Sequence, residues 1–299
     1  MSDAPHPLPT PRFDDTARAA LWMIGLICSF SAMAVAGREV SFAFDTFEIM
    51  MYRSVFGLLI VIVVATLMGT ASQITLRSPG THVIRNVAHF AGQNLWFYAI
   101  TVIPLAQVFA LEFTAPLWAL LLAPLVLGER LTSRRALAAL VGFIGILIVT
   151  RPSPDTLSWG LGAAATAGIG FAVTAIFTRK LTRTESLTCI LFWMTVIQAA
   201  FGVICAGIDG DIALPDLVSL PWLVVIALGG LFAHFCLTKA LSLAPATVVM
   251  PVDFARLPII AVIGMLFYGE SLDMLVFVGA GIIFAANYAN ILLETRKKR

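Results

Sequence analysis

The residues able to do chemistry in this chain sit inside long apolar stretches. His82, Arg85, Asn86, His89, Gln93 and Trp96 recur at spacings of three and four. On a helix that confines them to an arc of roughly 120°. Such a face must point at water, at a polar solute or at another polar helix. A role lining a solute site is expected for His89, Gln93 and Trp96, while His82 and Arg85 lie nearer a helix end and can face headgroups. Glu112 and Asp253 are carboxylates within apolar runs, and an ionisable group in hydrocarbon is a functional candidate by default. Asp253 has Arg256 three residues on, one turn away on the same face, which suits an ion pair. Glu112 has Ala115 at that spacing. It must therefore find a cation on another helix, with Lys239 and Arg85 the candidates, or touch water, or keep a proton that it could exchange. Arg53 and Lys239 could attract a substrate carboxylate, but snorkelling or pairing is their ordinary reading.

Several chemistries are excluded. HExxH, GxSxG and GxxxxGK[ST] are all absent, so no metalloprotease, serine hydrolase or ATP-driven machine is expected. Cys28, Cys189, Cys205 and Cys236 each sit in an apolar run without a CxxC pair; packing is their expected role. No tight His/Cys cluster occurs along the sequence, so neither a metal site nor a cofactor is expected.

Composition dictates the elements that position these groups. The chain has 299 residues, 60% hydrophobic and 12% charged, whereas a soluble domain carries about 25% charged residues. That much apolar surface needs lipid as its outer solvent. Soluble enzyme, nucleic-acid binder and disulfide scaffold are excluded, and a net charge of +2 gives no reason to expect a nucleic-acid partner.

Pro, Gly and charge punctuation divides the chain into ten apolar spans, at 18–37, 46–69, 81–102, 104–127, 133–150, 156–178, 186–208, 218–243, 245–268 and 271–293. Pro104 and Pro245 each open a span, Gly128 can close one, and Thr132 or Ser133 can cap the next. The runs are continuous rather than alternating, which excludes barrel strands. With both termini in the cytoplasm, 13 of the 19 basic residues fall on the inside and only Arg38 and Arg151 in outside loops. The Pro-rich start lacks the basic region and short apolar core of a signal peptide and reads as a tail.

The chain also repeats itself. A shift of 141 residues carries Pro104 onto Pro245, Glu112 onto Asp253, Gly128-Glu129 onto Gly269-Glu270 and Gln93 onto His234. Gln93 and His234 are thus polar at equivalent positions, and Thr238 lies one turn beyond His234. Five spans per copy is odd, so the second copy enters the membrane upside down. The expected class is an all-α polytopic membrane protein of ten transmembrane helices built as two inverted five-helix repeats. The boundaries read as a tail over 1–16, repeats over 17–150 and 151–293, and a basic tail over 294–299. Inverted repeats can exchange conformations and open a midplane site to either side in turn.

The "YAI…P" and "KAL…P" junctions, Pro116 and the paired "GE-x-L" segments resemble the drug/metabolite transporter superfamily, in its ten-helix branch of two EamA-type halves. The sequence is also similar to the aromatic amino-acid exporters of that superfamily. The resemblance covers nearly the whole chain but is loose at 47–56 and 185–196. It implies a bacterial inner-membrane secondary transporter exporting neutral or aromatic amino acids and related metabolites by alternating access. Its expected substrate-binding residues are His89, Gln93, Trp96, His234 and Thr238, with Glu112, Asp253 and Arg256 as a proton-coupling site or an ion pair. Export of another metabolite or drug, or a lipid-translocating or channel-like activity, stays open. The expected partners are a small molecule and the bilayer, the chain acting as a monomer.

Overall fold

The computed structural model describes residues 13–127, 133–151, 157–208, 210–243 and 252–297. Gly128, Glu129, Thr132 and Pro245 lie outside those ranges, as does the side chain of Thr238. The regular elements among the described residues are all helical. They are α1 (Phe13–Val40), α2 (Thr46–Leu67), α3 (Pro79–Val102), α4 (Leu105–Glu112), α5 (Ala115–Leu127), α6 (Ser133–Thr150), α7 (Trp159–Leu181), α8 (Leu187–Ala206), α9 (Leu220–Leu243), α10 (Arg256–Tyr268) and α11 (Met274–Lys297), with one 3-10 turn at Ala71–Gln73. Among the described residues, six stretches are long and apolar enough to cross a membrane, one of them formed by α4 and α5 together, and three shorter apolar helices accompany them.

Local chemistry sets the helix ends. Asp45 accepts from the N–H groups of Phe47 and Glu48 while Glu48 accepts from Asp45, a capping box that starts α2. Gly269, at φ 64°, closes α10 in the left-handed conformation. The expected continuous span 104–127 is instead broken at Phe113-Thr114, between α4 and α5. Pro116 has no N–H to give the carbonyl of Glu112, so the ladder cannot run through. Pro258, one position beyond the repeat equivalent of Pro116, sits in the first turn of α10 and cannot give Phe254 O an N–H, so that carbonyl accepts from Leu257 N at 3.2 Å instead.

The packing obeys a two-fold relation. The most extensive contacts join α1 to α9, α3 to α7, α2 to α8 and α6 to α11. Exchanging the first five spans with the second five sends the α1–α9 pair onto α7–α3 and returns α2–α8 and α6–α11 to themselves. The register matches residue by residue. A Cβ at Gly170 would lie 2.9 Å from the carbonyl oxygen of Ala88, and one at Gly229 would lie 3.1 Å from that of Ser29. A 141-residue shift takes Ser29 to Gly170 and Ala88 to Gly229.

On the axis, α6 and α11 cross at Gly145 and Gly279, where a Cβ on either would approach the other's carbonyl oxygen to 2.7 Å. Gly279→Ala is therefore expected to destabilise by about 1–3 kcal/mol through overpacking of backbone against backbone. Gly281→Ala, two residues along with nothing within 4 Å, should be neutral or slightly stabilising. Thermal unfolding of both variants in detergent checks the pair; equal midpoints would refute the close crossing.

Candidate functional site

A narrow, partly open cavity lies where the two repeats meet. Its lining comes from α2 (Arg53, Ser54, Gly57), α8 (Met194, Thr195, Gln198) and α9 (Ala227, Gly230, Leu231, His234). The 141-residue shift carries Arg53 to Met194, Ser54 to Thr195 and Gly57 to Gln198. Equivalent residues thus face each other, which sets the cavity on the two-fold axis. These helix starts align only loosely as sequence, yet in space the register continues through them.

Arg53 is the residue that sequence reasoning undervalued. It neither snorkels nor pairs, and it is 9% exposed. Among the described residues, its only close polar contact is the Met50 sulfur at 4.0 Å, and no carboxylate pairs with it. Its guanidinium lies against Gly230, where a Cβ would come within 3.1 Å of Nη2. Glycine there leaves the room the arginine occupies.

The polar face of α3 turns inward over its whole length, burying His82, Arg85, Asn86, His89, Gln93 and Trp96. His82 and Arg85 therefore do not face headgroups. Arg85 donates to Thr178 Oγ1 at 2.7 Å and to Asn86 Oδ1 at 3.3 Å, and Gln198 donates to Asn86 Oδ1 at 3.3 Å. These bonds hold the face to the second repeat. Beyond them, both ring nitrogens of His89 and Oε1 of Gln93 are buried without a partner among the described residues. Arg53 and Arg85 are near enough for their charges to act on both His89 and His234. Among the described residues neither arginine has a carboxylate partner. The result is a positively charged, donor-rich centre.

Trp96 stands elsewhere. Its indole N–H donates to Glu112 Oε2 at 2.9 Å. The cation beside Glu112 is neither Lys239 nor Arg85 but Arg256, which donates to Glu112 at 3.0 Å and to Asp253 at 3.1 Å. One arginine joins the two symmetry-equivalent carboxylates at the breaks of the fourth and ninth spans. The rings of Phe30 and Phe109, each 4.9 Å from its guanidinium carbon, and of Phe113, at 5.1 Å, enclose it.

Both ends of the bundle are tied between repeats. At the end away from the termini, Arg38 pairs with Glu270 and donates to Ile103 O at 3.0 Å, while Glu270 accepts from Leu105 N at 2.9 Å. Glu270 thereby caps α4, whose first N–H groups have no partner within the helix. At the terminal end, Thr75 Oγ1 donates to Glu185 Oε2 at 2.6 Å, which holds that carboxyl below its ordinary pKa. Trp193 donates to Thr75 O at 2.8 Å.

Known proteins resemble this chain along its length. An S-adenosylmethionine uptake transporter of Rickettsia bellii is 26% identical over 92% of this chain and 94% of its own. A riboflavin transporter of Brucella anthropi is 32% identical over 70% of this chain and 75% of its own, and one of Vibrio cholerae is 25% identical over 100% and 98%. A solved crystal structure superposes with a TM-score of 0.64 at 17% identity, covering 95% of this chain and 99% of the other, which shows the fold alone. None of these names supports the amino-acid exporter branch to which the sequence is similar. The description "EamA-like transporter family" matches residues 17–151 and again 158–292. The chain is a multi-pass membrane transporter, not an enzyme, and belongs to the EamA-like transporter family.

Proposed function

We propose that the chain carries an uncharged or anionic, acceptor-rich small molecule of the flavin kind by alternating access, and that the axial cavity is its binding site. The observation that carries this reading is the pair of arginines, Arg53 and Arg85, buried beside the cavity with no carboxylate partner among the described residues. A buried cation is costly to leave uncompensated. A solute offering carbonyl oxygens or negative charge supplies the missing partner, and His89, Gln93 and His234 are placed to orient it. A net cation such as S-adenosylmethionine meets like charge there. A neutral amino acid, the substrate expected from sequence, offers a carboxylate to the arginines. Its ammonium group, however, finds no carboxylate in the cavity lining.

The Glu112–Arg256–Asp253 triad has two carboxylates for one guanidinium. In this reading it has a place for one proton and is where proton coupling would act. The basic-residue bias puts both termini on the cytoplasmic side of a bacterial inner membrane.

Flux into proteoliposomes tests the substrate. Riboflavin, phenylalanine, S-adenosylmethionine and succinate are compared with protein-free vesicles. Protein-dependent flux of riboflavin or succinate, without S-adenosylmethionine, is expected. Flux of S-adenosylmethionine alone would overturn the charge argument, and flux of phenylalanine alone would return the substrate to amino acids.

A further inference from the structure

At the terminal end of the bundle three chemically matched side chains converge from distant parts of the chain. His82 lies in the first turn of α3, Glu185 in the connection between α7 and α8, and Cys189 in the first turn of α8. Their ligand-capable atoms all lie within 4.8 Å of one another. The Cys189 sulfur is already 3.3 Å from Glu185 Oε2. In a tetrahedral zinc site with bonds of about 2.0–2.3 Å, neighbouring ligand atoms stand roughly 3.3–3.6 Å apart. The sulfur–carboxylate edge has that length, and a small rotation of the imidazole would bring in the third ligand.

A second observation points to a ligand. His82 is 2% exposed, and among the described residues neither of its ring nitrogens has a hydrogen-bond partner; Glu185 Oε1 is likewise buried and without one there. An imidazole is rarely left so in a protein interior, because burying a polar group unpaired costs free energy. Arg85, one turn further along α3, opposes a cation. Thiolate and carboxylate ligands together offset a dication, and the Arg85 guanidinium is held toward Thr178 and Asn86 by its hydrogen bonds. Thr75 lies beside Glu185 and Cys189, with its carbonyl 3.4 Å from the sulfur. It is partly exposed and gives access from that end.

We propose that His82, Glu185 and Cys189 form a binding site for a thiophilic divalent cation of the zinc class, with Thr75 O or a water completing the shell. His82 comes from the first repeat and the other two ligands from the second. A bound cation therefore staples the repeats together at this end and slows the motion that opens it. The binding half of this inference is independent of the substrate; the effect on flux rests on the transporter reading.

Cobalt(II) is the probe, because a cobalt–thiolate bond absorbs in the near ultraviolet where aqueous cobalt does not. The full chain in detergent should develop that band at one equivalent. Cys189→Ser should abolish it, and Cys236→Ser, at a buried cysteine elsewhere, should leave it intact. His82→Gln keeps the thiol and should weaken cobalt binding by more than about tenfold, since even outer-shell changes cost that much. Zinc at concentrations that fill the site should slow flux in the wild-type chain and not in Cys189→Ser. No band in the wild-type chain, or a band that survives Cys189→Ser, would overturn the site. A band that behaves as expected with zinc-insensitive flux would retain the site and remove the staple.

Discussion

Arg256→Ala should lower stability by about 3–5 kcal/mol, the loss typical when one partner of a buried ion pair is removed. The reason is its position. Arg256 is 3% exposed and satisfies both Glu112 and Asp253. Without it two carboxylates face each other in an apolar interior, and the three aromatic rings around the guanidinium lose their cation. The thermal midpoint in detergent should fall by roughly 6 °C or more. Neutralising the carboxylates as well, in Glu112→Gln/Asp253→Asn/Arg256→Met, should recover much of the loss, because an apolar or neutral replacement of a whole buried network is often tolerated. An unchanged midpoint in Arg256→Ala would show that the triad is not a structural tie. The single variant Glu112→Gln keeps an acceptor for the Trp96 indole. If flux in that variant loses its response to a pH gradient while the fold persists, the triad holds the coupled proton; an unaltered response removes that role.

Arg53→Met should behave in the opposite way. Flux should fall about tenfold to a hundredfold, the range for losing a hydrogen bond from a charged donor to the solute. The thermal midpoint should hold or rise, because the variant removes a buried cation that no carboxylate among the described residues neutralises. A site that destabilises its own protein in this way is a common cost of binding. Arg53→Lys should restore only part of the flux, since an ammonium lacks the planar fork of donors. Loss of stability and flux together in Arg53→Met would mean that Arg53 is structural, and the cavity would lose its assignment as the binding site. Comparing Arg53 with Arg256 thus tests whether the fold holds one arginine and leaves the other for a solute, although both are buried in the same bundle.

The residues differ in how openly the sequence displays them. The inward face of α3 was legible because helical periodicity is a property of one continuous segment. His89 and Gln93 reach the interior as that periodicity requires, whereas Trp96 lies on the same face and turns to Glu112. The repeat was legible too, since a fixed shift needs only the one-dimensional order of residues. That shift already implied a two-fold arrangement in which Gln93 and His234 occupy equivalent places. The break in the fourth span was less visible, because its apolar run continues through Pro116 without a change in composition.

Partnership between helices was not legible. From sequence Arg53 reads first as a snorkelling or paired arginine and only second as a partner for a substrate carboxylate; the close approach of α9 at Gly230 shows it held beside the cavity. Arg256 was assigned to Asp253 from their spacing, but its second partner, Glu112, is 144 residues away. His82 and Cys189 showed no ligand pattern because metal spacing is sought along the chain, whereas these atoms meet across the two repeats. The sequence by itself determined that the chain lives in lipid, spans it repeatedly with helices and is doubled by an inverted copy, because hydrophobicity and periodicity are additive along a segment. The tertiary structure alone decided which buried charges are paired, which have no carboxylate partner among the described residues, and which side chains gather at the terminal end. Those outcomes depend on the rotation and closeness of packed helices, set at glycine crossings by contacts of a few ångströms.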